Sequence, residues 1–279
     1  MAVRKLFSGF RLLSEFMSSL SAWLSLINSG KSLGDKMAIL KYFLVASFAR
    51  VLPKTVQSKI KIFYFIRKDI VIDTDHGKFF CRRKTDDLLI AGKKDYEKYM
   101  QHVFNLDAGT FVDIGAHIGR YSIQIGKNKS INVISIEPDP ENYKILKKNI
   151  ELNRSRNILA FNFACYSKNK KSIVLYKGEN PGLNSLLQKT SNRIIVKALT
   201  LDTLLARANV KSVDLIKIDT EDAEFEVLKG GKRTILSYKP TIIFECRDPE
   251  MFEKCRSYLK KFGYDIKLLQ EHNYLATCK

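Results

Sequence analysis

No cysteine in this chain sits at metal-binding or disulfide spacing from another. The five, at positions 81, 165, 246, 255 and 278, are odd in number and include no C-x-x-C pair. That excludes a disulfide framework or a zinc ribbon and reads as reduced thiols in a reducing compartment. None of the four histidines stands at ligand spacing from them. An uninterrupted apolar run of about 20 residues is also missing, so no transmembrane helix is expected. The amino-terminal stretch has Arg4-Lys5 but neither a continuous apolar core nor a small-residue cleavage site, and it is not read as a secretory signal. A cytoplasmic protein is expected, with a location peripheral to a membrane as the alternative.

Negative charge is scarce. Lys and Arg number 48 against 29 Asp and Glu, for a net charge of +19. The excess is concentrated early: residues 1–72 hold 12 basic and 3 acidic residues, whereas residues 73–109 hold 7 of each. A basic surface favours anionic partners, among them nucleic acid, acidic lipid headgroups and phosphorylated glycans. Lysine scattered over solvated helix faces gives the same totals without any partner.

The first 70 residues have their own pattern. Leu6, Phe10, Leu13, Phe16, Met17, Leu20, Trp23, Leu24 and Ile27 recur at helical spacing, and Asn28-Ser-Gly30 breaks the run. A second helix is expected from Asp35, as N-cap, to Arg50, ahead of Pro53. A basic and apolar segment from Val56 to Ile66 follows. These helices either pack on the rest of the protein or lie on an anionic membrane surface. Residues 71–109 read as a β-hairpin around Asp73-Thr-Asp-His-Gly77 and a short helix from Tyr96 to Phe104 that lead into the core.

From residue 110 to 279 strands and helices alternate, which argues a mostly parallel sheet with helices on both faces. Strands are expected at 110–113, 131–136, 158–165, 172–176, 193–199, 213–218 and 241–245, and a closing pair near 264–269 and 273–277 makes one strand antiparallel. Phe111-Val-Asp-Ile-Gly-Ala-His-Ile-Gly-Arg-Tyr121 runs from an apolar strand into Asp113, then a turn with Gly115 and Gly119, then a helix. The next strand ends in Glu137-Pro138, where a carboxylate can accept both hydroxyls of a ribose. The third glycine of the dinucleotide fingerprint is absent, and an acid opens the loop. That acid repels phosphate but suits a cationic amino-acid end, which points to S-adenosylmethionine (AdoMet). Ligands in such sheets sit beyond the carboxyl ends of the strands. There the strands finish in Asp113, Glu137, Asp219 with Glu221, and Glu245.

These pieces resemble the FkbM family of AdoMet-dependent methyltransferases. The matching stretches are Val112 to Ser122, Ile136-Glu-Pro-Asp-Pro140, Asn184-Ser-Leu186, Leu199-Thr-Leu-Asp-Thr-Leu204 and Ile216-Lys-Ile-Asp-Thr-Glu-Asp-Ala-Glu224 with Val227-Leu-Lys-Gly230. The resemblance implies a Rossmann-like class I methyltransferase fold with a seven-stranded sheet, here carrying an amino-terminal helical extension. It implies methyl transfer, most often to a hydroxyl of a sugar or secondary metabolite. Asp113, Gly115, Ala116, His117 and Gly119 would then line the methionine end of the cofactor. Glu137, followed by Pro138, would take the ribose, and Cys165 would flank the adenine. Asp222 stands where the family usually has glycine, and His117 where asparagine is more frequent.

An alcohol acceptor must lose its proton, which asks for a carboxylate or histidine within hydrogen-bond reach. Asp219 or Glu245 is expected in that role, with Glu221 and Glu224 behind them. The same acids could instead hold a divalent cation, though no metal is predicted. A small-molecule or glycan acceptor is expected, with an anionic membrane surface as a partner for residues 1–70. An RNA or protein acceptor is the alternative, and a non-catalytic scaffold a further one. Base methylation is disfavoured because Asp219-Thr-Glu-Asp222 lacks the proline-proline-aromatic motif that positions a base nitrogen.

Overall fold

The structure, a computed structural model, describes residues 20–50, 53, 55, 62–93, 103–104, 106–178 and 181–278. The chain divides into two compact units, Met1–Tyr96 and Glu97–Lys279.

In the first unit residues 20–29 are helical (α1), followed by helix α2, Leu33–Arg50. Leu6 to Met17 and residues 56–61 fall outside the described residues. Helix α2 begins three residues earlier than the sequence suggests, because Ser32 and not Asp35 caps it. The Ser32 hydroxyl accepts from the Asp35 amide (3.1 Å) while the Asp35 carboxylate accepts from the Ser32 amide (3.0 Å). This reciprocal capping box satisfies two otherwise orphaned donors. Strands β1, Ile70–Thr74, and β2, Gly77–Cys81, form the expected hairpin. It packs with the helices before it, through a bridge between Gly30 and Ile72 and a hydrogen bond from the Lys31 amide to the Val71 carbonyl (2.9 Å). The compact unit therefore runs well past residue 70. A short helix, α3, Asp87–Gly92, went unread in the sequence; the helix expected over residues 96–104 falls almost wholly outside the described residues. Among the described residues no helix is long and apolar enough to cross a membrane.

The second unit is built on strands β3 (Gly109–Ile114), β4 (Ile131–Ile136), β5 (Ile158–Phe161), β6 (Ala164–Cys165), β7 (Lys170–Tyr176), β8 (Arg193–Leu199), β9 (Leu215–Ile218), β10 (Thr241–Glu245), β11 (Tyr264–Gln270) and β12 (Asn273–Cys278). The helices among them are α4 (Arg120–Ile125), α5 (Pro140–Leu152), α6 (Leu201–Arg207), α7 (Glu224–Gly230), α8 (Lys232–Tyr238) and α9 (Pro249–Lys260). The main sheet has seven strands in the order β11-β12-β10-β9-β3-β4-β5. Neighbours from β5 to β10 are parallel, and β12 inserts antiparallel between β10 and β11. Strands β9 and β4 are buried on both faces, as a sheet covered by helices on each side requires.

The two faces differ in chemistry. One carries Val112, Ile134, Ile216, Ile242 and Phe244 into an apolar core with Leu204, Val227, Ile235 and Leu259. The other holds a buried polar row, since Ser135, Asp113 and Lys217 are register partners on adjacent strands. The expected strand 158–165 divides at Asn162, whose amide donates to the carbonyls of Glu137 (2.8 Å) and Pro138 (3.0 Å). That turn sends the chain out of the main sheet into a three-stranded one, ordered β6-β8-β7, which forms the excursion before α6.

Candidate active site

A cleft of about 510 Å³, counting its open mouth, lies beyond the carboxyl ends of β3, β4 and β9. Gly115, His117, Glu137, Pro138, Cys165, Asp219 and Glu221 all line it, so the fold gathers these residues from four strand ends. Ile136, Asn142, Ala164, Leu175, Asn184 and Thr220 are among the other residues of the wall. Asp113, Ala116, Gly119 and Glu245 lie outside it.

Gly115 explains how the loop passes so close to the neighbouring strand. Its φ is +83°, and a Cβ there would fall 1.7 Å from the Asp219 carbonyl oxygen. The amides of Gly115 and Ala116 donate to the Ile136 carbonyl (2.9 and 3.1 Å), and that of His117 donates to Glu137 Oε2 (2.8 Å). These donors are committed to the end of β4, so the loop offers no nest for a pyrophosphate. Glu137 Oε1 accepts from the Asp139 amide (3.0 Å) and Asn142 Nδ2 (3.4 Å). Burial pushes the Glu137 carboxyl up to about 7, against the lowering effect of these donors.

Asp113 does not contact the cleft as the sequence suggested. It is 1% exposed and belongs to the buried polar row. Its Oδ2 accepts from the Ser122 hydroxyl (2.5 Å) and amide (3.1 Å), and the Ser135 hydroxyl donates to that of Ser122 (2.7 Å). Its Oδ1 is buried without a hydrogen bond, and burial raises the pKa while the Lys217 ammonium opposes the rise. Asp113 thus fixes the start of α4 behind the loop. Ala116 and Gly119 are buried there as well, which leaves Gly115 and His117 as the loop's contribution to the wall. Cys165 does reach the cleft, and its thiol is pushed well above its ordinary pKa by burial, so it acts as an apolar surface.

At the opposite wall the acids come with cations. Lys217 Nζ contacts Asp219 Oδ2 (2.8 Å) and lies 5.0 Å from the Tyr121 ring centroid. Arg247 bridges Glu221 (2.9 Å) and Glu245 (2.7 Å). Lys217 and Arg247 thus place two cations among these carboxylates. Glu245, paired with Arg247, is not among the residues that line the cleft. Burial first, and then the charge of Asp219, push the Glu221 carboxyl up to about 8. Glu224 is sealed below, its Oε1 accepting from the Thr220 amide (3.0 Å) and hydroxyl (2.8 Å), its Oε2 unpaired, and its pKa raised by burial to about 7.

Sequence reasoning gave no role to the residues that stitch the excursion over the cleft. Asn184 Nδ2 donates to Asp139 Oδ2 (2.7 Å), and Lys177 pairs with the same carboxylate. The Ser185 hydroxyl donates to the Glu221 carbonyl (2.5 Å). Asn184-Ser-Leu186 matched the family pattern, and that match was the signal. The contact partners, 36 and 45 residues away in sequence, could only be seen in the fold.

Two predictions arise here. Asp222, at φ +81°, adopts the left-handed conformation that glycine enters without strain, directly after Glu221 at φ +52°. Asp222→Gly should stabilise the protein by about 0.5–1 kcal/mol and Asp222→Val destabilise it by about 1–2 kcal/mol, read by denaturant unfolding. A loss of stability in the glycine variant would contradict this account.

The second concerns pH. Glu137, Glu221 and Glu224 have folded pKa values above the ordinary 4.5, so the folded state binds more protons than the unfolded chain between about pH 4.5 and 8. Their contribution is full below pH 4.5 and is lost as pH rises through 7 to 8. Melting temperature should fall from pH 5.5 to pH 8.5, and Glu224→Gln should flatten that slope. An unchanged slope in the variant would sink the assignment.

A seven-stranded sheet with one antiparallel strand inserted beside its edge, a glycine turn after β3 and a carboxylate at the end of β4 is the Rossmann-like class I methyltransferase fold. Residues 113–266, more than half of the chain, match the profile of the methyltransferase FkbM domain. The chain belongs to the FkbM methyltransferase family.

It is 23% identical over 231 residues to the methyltransferase sdnD of Sordaria araneosa, covering 70% of this chain and 89% of that protein. It is 26% identical over 184 residues to methyltransferase 1 of Beauveria bassiana, covering 57% and 74% respectively. The crystal structure of the methyltransferase FkbM from Methylobacillus flagellatus superposes with a TM-score of 0.47 at 14% identity, covering 95% of this chain and 60% of that one.

Proposed function

We propose that this methyltransferase uses AdoMet to methylate a hydroxyl of a sugar, glycolipid or secondary metabolite. The observation that carries the reading is the pairing across one cleft of Glu137 with Asp219 and Glu221. The donor set suits the cofactor in three respects. Glu137 can accept a pair of ribose hydroxyls, Ile136, Ala164, Cys165 and Leu175 offer an apolar slot for a flat base, and the far acids suit a cationic end. AdoMet would supply a methyl group on a sulfonium, already an excellent leaving group.

The protein's part is then mainly alignment, which supplies about 7–11 kcal/mol in well-oriented systems. Its second task is to hold the proton released by the acceptor. Glu221 fits that task, because burial makes its carboxylate basic enough to take a proton and it faces the cleft. Asp219, bound to Lys217, keeps an anionic wall beside it. The stitched excursion forms one wall of the cleft through Leu175, Pro181, Asn184 and Leu186.

The test begins with calorimetric titration of AdoMet and continues with transfer of labelled methyl to glycans and small-molecule alcohols, then RNA and protein. Micromolar binding with label on a hydroxyl supports the reading. Label on RNA or protein would replace the acceptor class, and binding without transfer to any acceptor would favour a non-catalytic scaffold.

A further inference from the structure

Helix α2 is apolar on two opposite faces. Ile39, Tyr42, Ala46 and Ala49 are buried in the first unit, and Trp23 packs against Tyr42 (5.7 Å between ring centroids) and Phe43 (5.2 Å). Leu33, Met37, Leu44 and Phe48 occupy the other face, at spacings that repeat along one side of a helix. They are 77%, 46%, 57% and 67% exposed. Tyr64 and Phe65, just beyond, are 46% and 45% exposed. Scattered single apolar residues need no partner, but four large ones aligned on one side of a helix, with exposed aromatic rings just beyond, mark a contact surface.

The charge around the stripe selects the partner. Residues 20–68 contain nine Lys and Arg and a single acid, Asp35. That acid is buried and engaged with Lys68 (2.8 Å), so it offers no negative charge to a partner. Lys41 is exposed within the stripe, Lys36 lies along its border, and Lys31 and Arg67 are exposed nearby. An apolar stripe edged with cations and exposed aromatic rings is the chemistry of an anionic bilayer interface. A protein partner of the same shape would need a matching ring of acids, whereas acidic lipids supply negative charge at any register.

We propose that the outward face of α2 docks the protein on membranes containing anionic phospholipids, with Leu44 and Phe48 entering the headgroup boundary and Lys36 and Lys41 held at the lipid phosphates. This is a peripheral contact, independent of the catalytic reading.

The test is flotation of the full-length chain with vesicles of phosphatidylcholine alone or mixed with phosphatidylserine. Binding is expected only to the phosphatidylserine vesicles and should weaken at high salt. Leu44→Gln with Phe48→Gln should lower the partition coefficient by about tenfold or more. Lys36→Gln with Lys41→Gln should lower it severalfold and reduce the salt dependence. These side chains project from the unit's core, so unchanged circular dichroism and melting temperature are expected in both variants. AdoMet affinity, measured alongside, should not move. Failure of the wild type to float with anionic vesicles overturns the proposal, as does binding that ignores the Leu44 and Phe48 substitutions. A wild-type dimer that the same pair of substitutions converts to monomer, without vesicle binding, would make the face an interface between copies and also overturn it.

Discussion

Glu137→Ala should weaken AdoMet binding by about a hundredfold or more while the sheet stays folded. An ionised carboxylate accepting two hydroxyls contributes hydrogen bonds of about 1.5–3 kcal/mol each, and their loss together amounts to at least two orders of magnitude in affinity. The side chain is suited to this by what already surrounds it. The His117 amide, the Asp139 amide and Asn142 fix both oxygens and take three of about four acceptor positions, so a second hydroxyl displaces the long Asn142 contact (3.4 Å), whose amide also donates to the Pro181 carbonyl (2.9 Å). Burial raises the group to about 7, so in the free protein near neutrality a large share of Glu137 is protonated. Two hydroxyl donors favour the ionised form. Affinity should therefore climb with pH up to about 7, at most tenfold per unit, and then level off. Calorimetry in buffers of different ionisation enthalpy would register the released proton. Glu137→Ala should lose both the affinity and the pH slope, and Glu137→Gln, which keeps one acceptor, should lose the slope and part of the affinity. Unaltered affinity in both variants would mean that the ribose lies elsewhere.

The strand ends explain why this half of the site was legible in the sequence. A carboxylate or glycine at the end of an apolar run is fixed in space by the sheet alone, so Gly115, Glu137 and Asp219 could be placed from their positions in the pattern. Helix α5, Pro140–Leu152, was equally legible, because Asp139 caps it, accepting from the Glu141 and Asn142 amides, and a proline opens it. Asp113 misled for a physical reason: an acid at a strand end can turn to either face, and here the register puts it between Ser135 and Lys217. Asp222 was flagged because glycine is usual there, and the backbone kept the glycine-like conformation, with Gln188 donating a hydrogen bond to the new carboxylate. Arg247 carried no signal at all, because its meaning depends on Glu221 and Glu245 meeting across two loops.

Glu221→Gln should lower single-turnover methyl transfer by about 100- to 10,000-fold, the usual worth of a positioned general base. The assay uses the hydroxyl acceptor that a labelled-methyl screen selects. In the wild type the rate should rise with pH toward about 8, as the carboxyl, held protonated by burial and by the charge of Asp219, gives up its proton. Above that value it should level off. Glu221→Gln should be slow at every pH, with that rise gone. Asp219→Asn removes a negative neighbour and so should move the rise to lower pH while slowing transfer less. Arg247→Met acts in the opposite direction, since the guanidinium beside Glu221 holds its pKa down. Its loss should carry the rise to higher pH, with AdoMet affinity little changed. The opposed shifts separate a base from a residue that merely shapes the cleft, because a packing defect would slow transfer without moving the profile. Transfer within tenfold of wild type in Glu221→Gln, with the pH rise retained, would assign the proton to another group. Asp219 would then be the next candidate, as the other carboxylate on that wall.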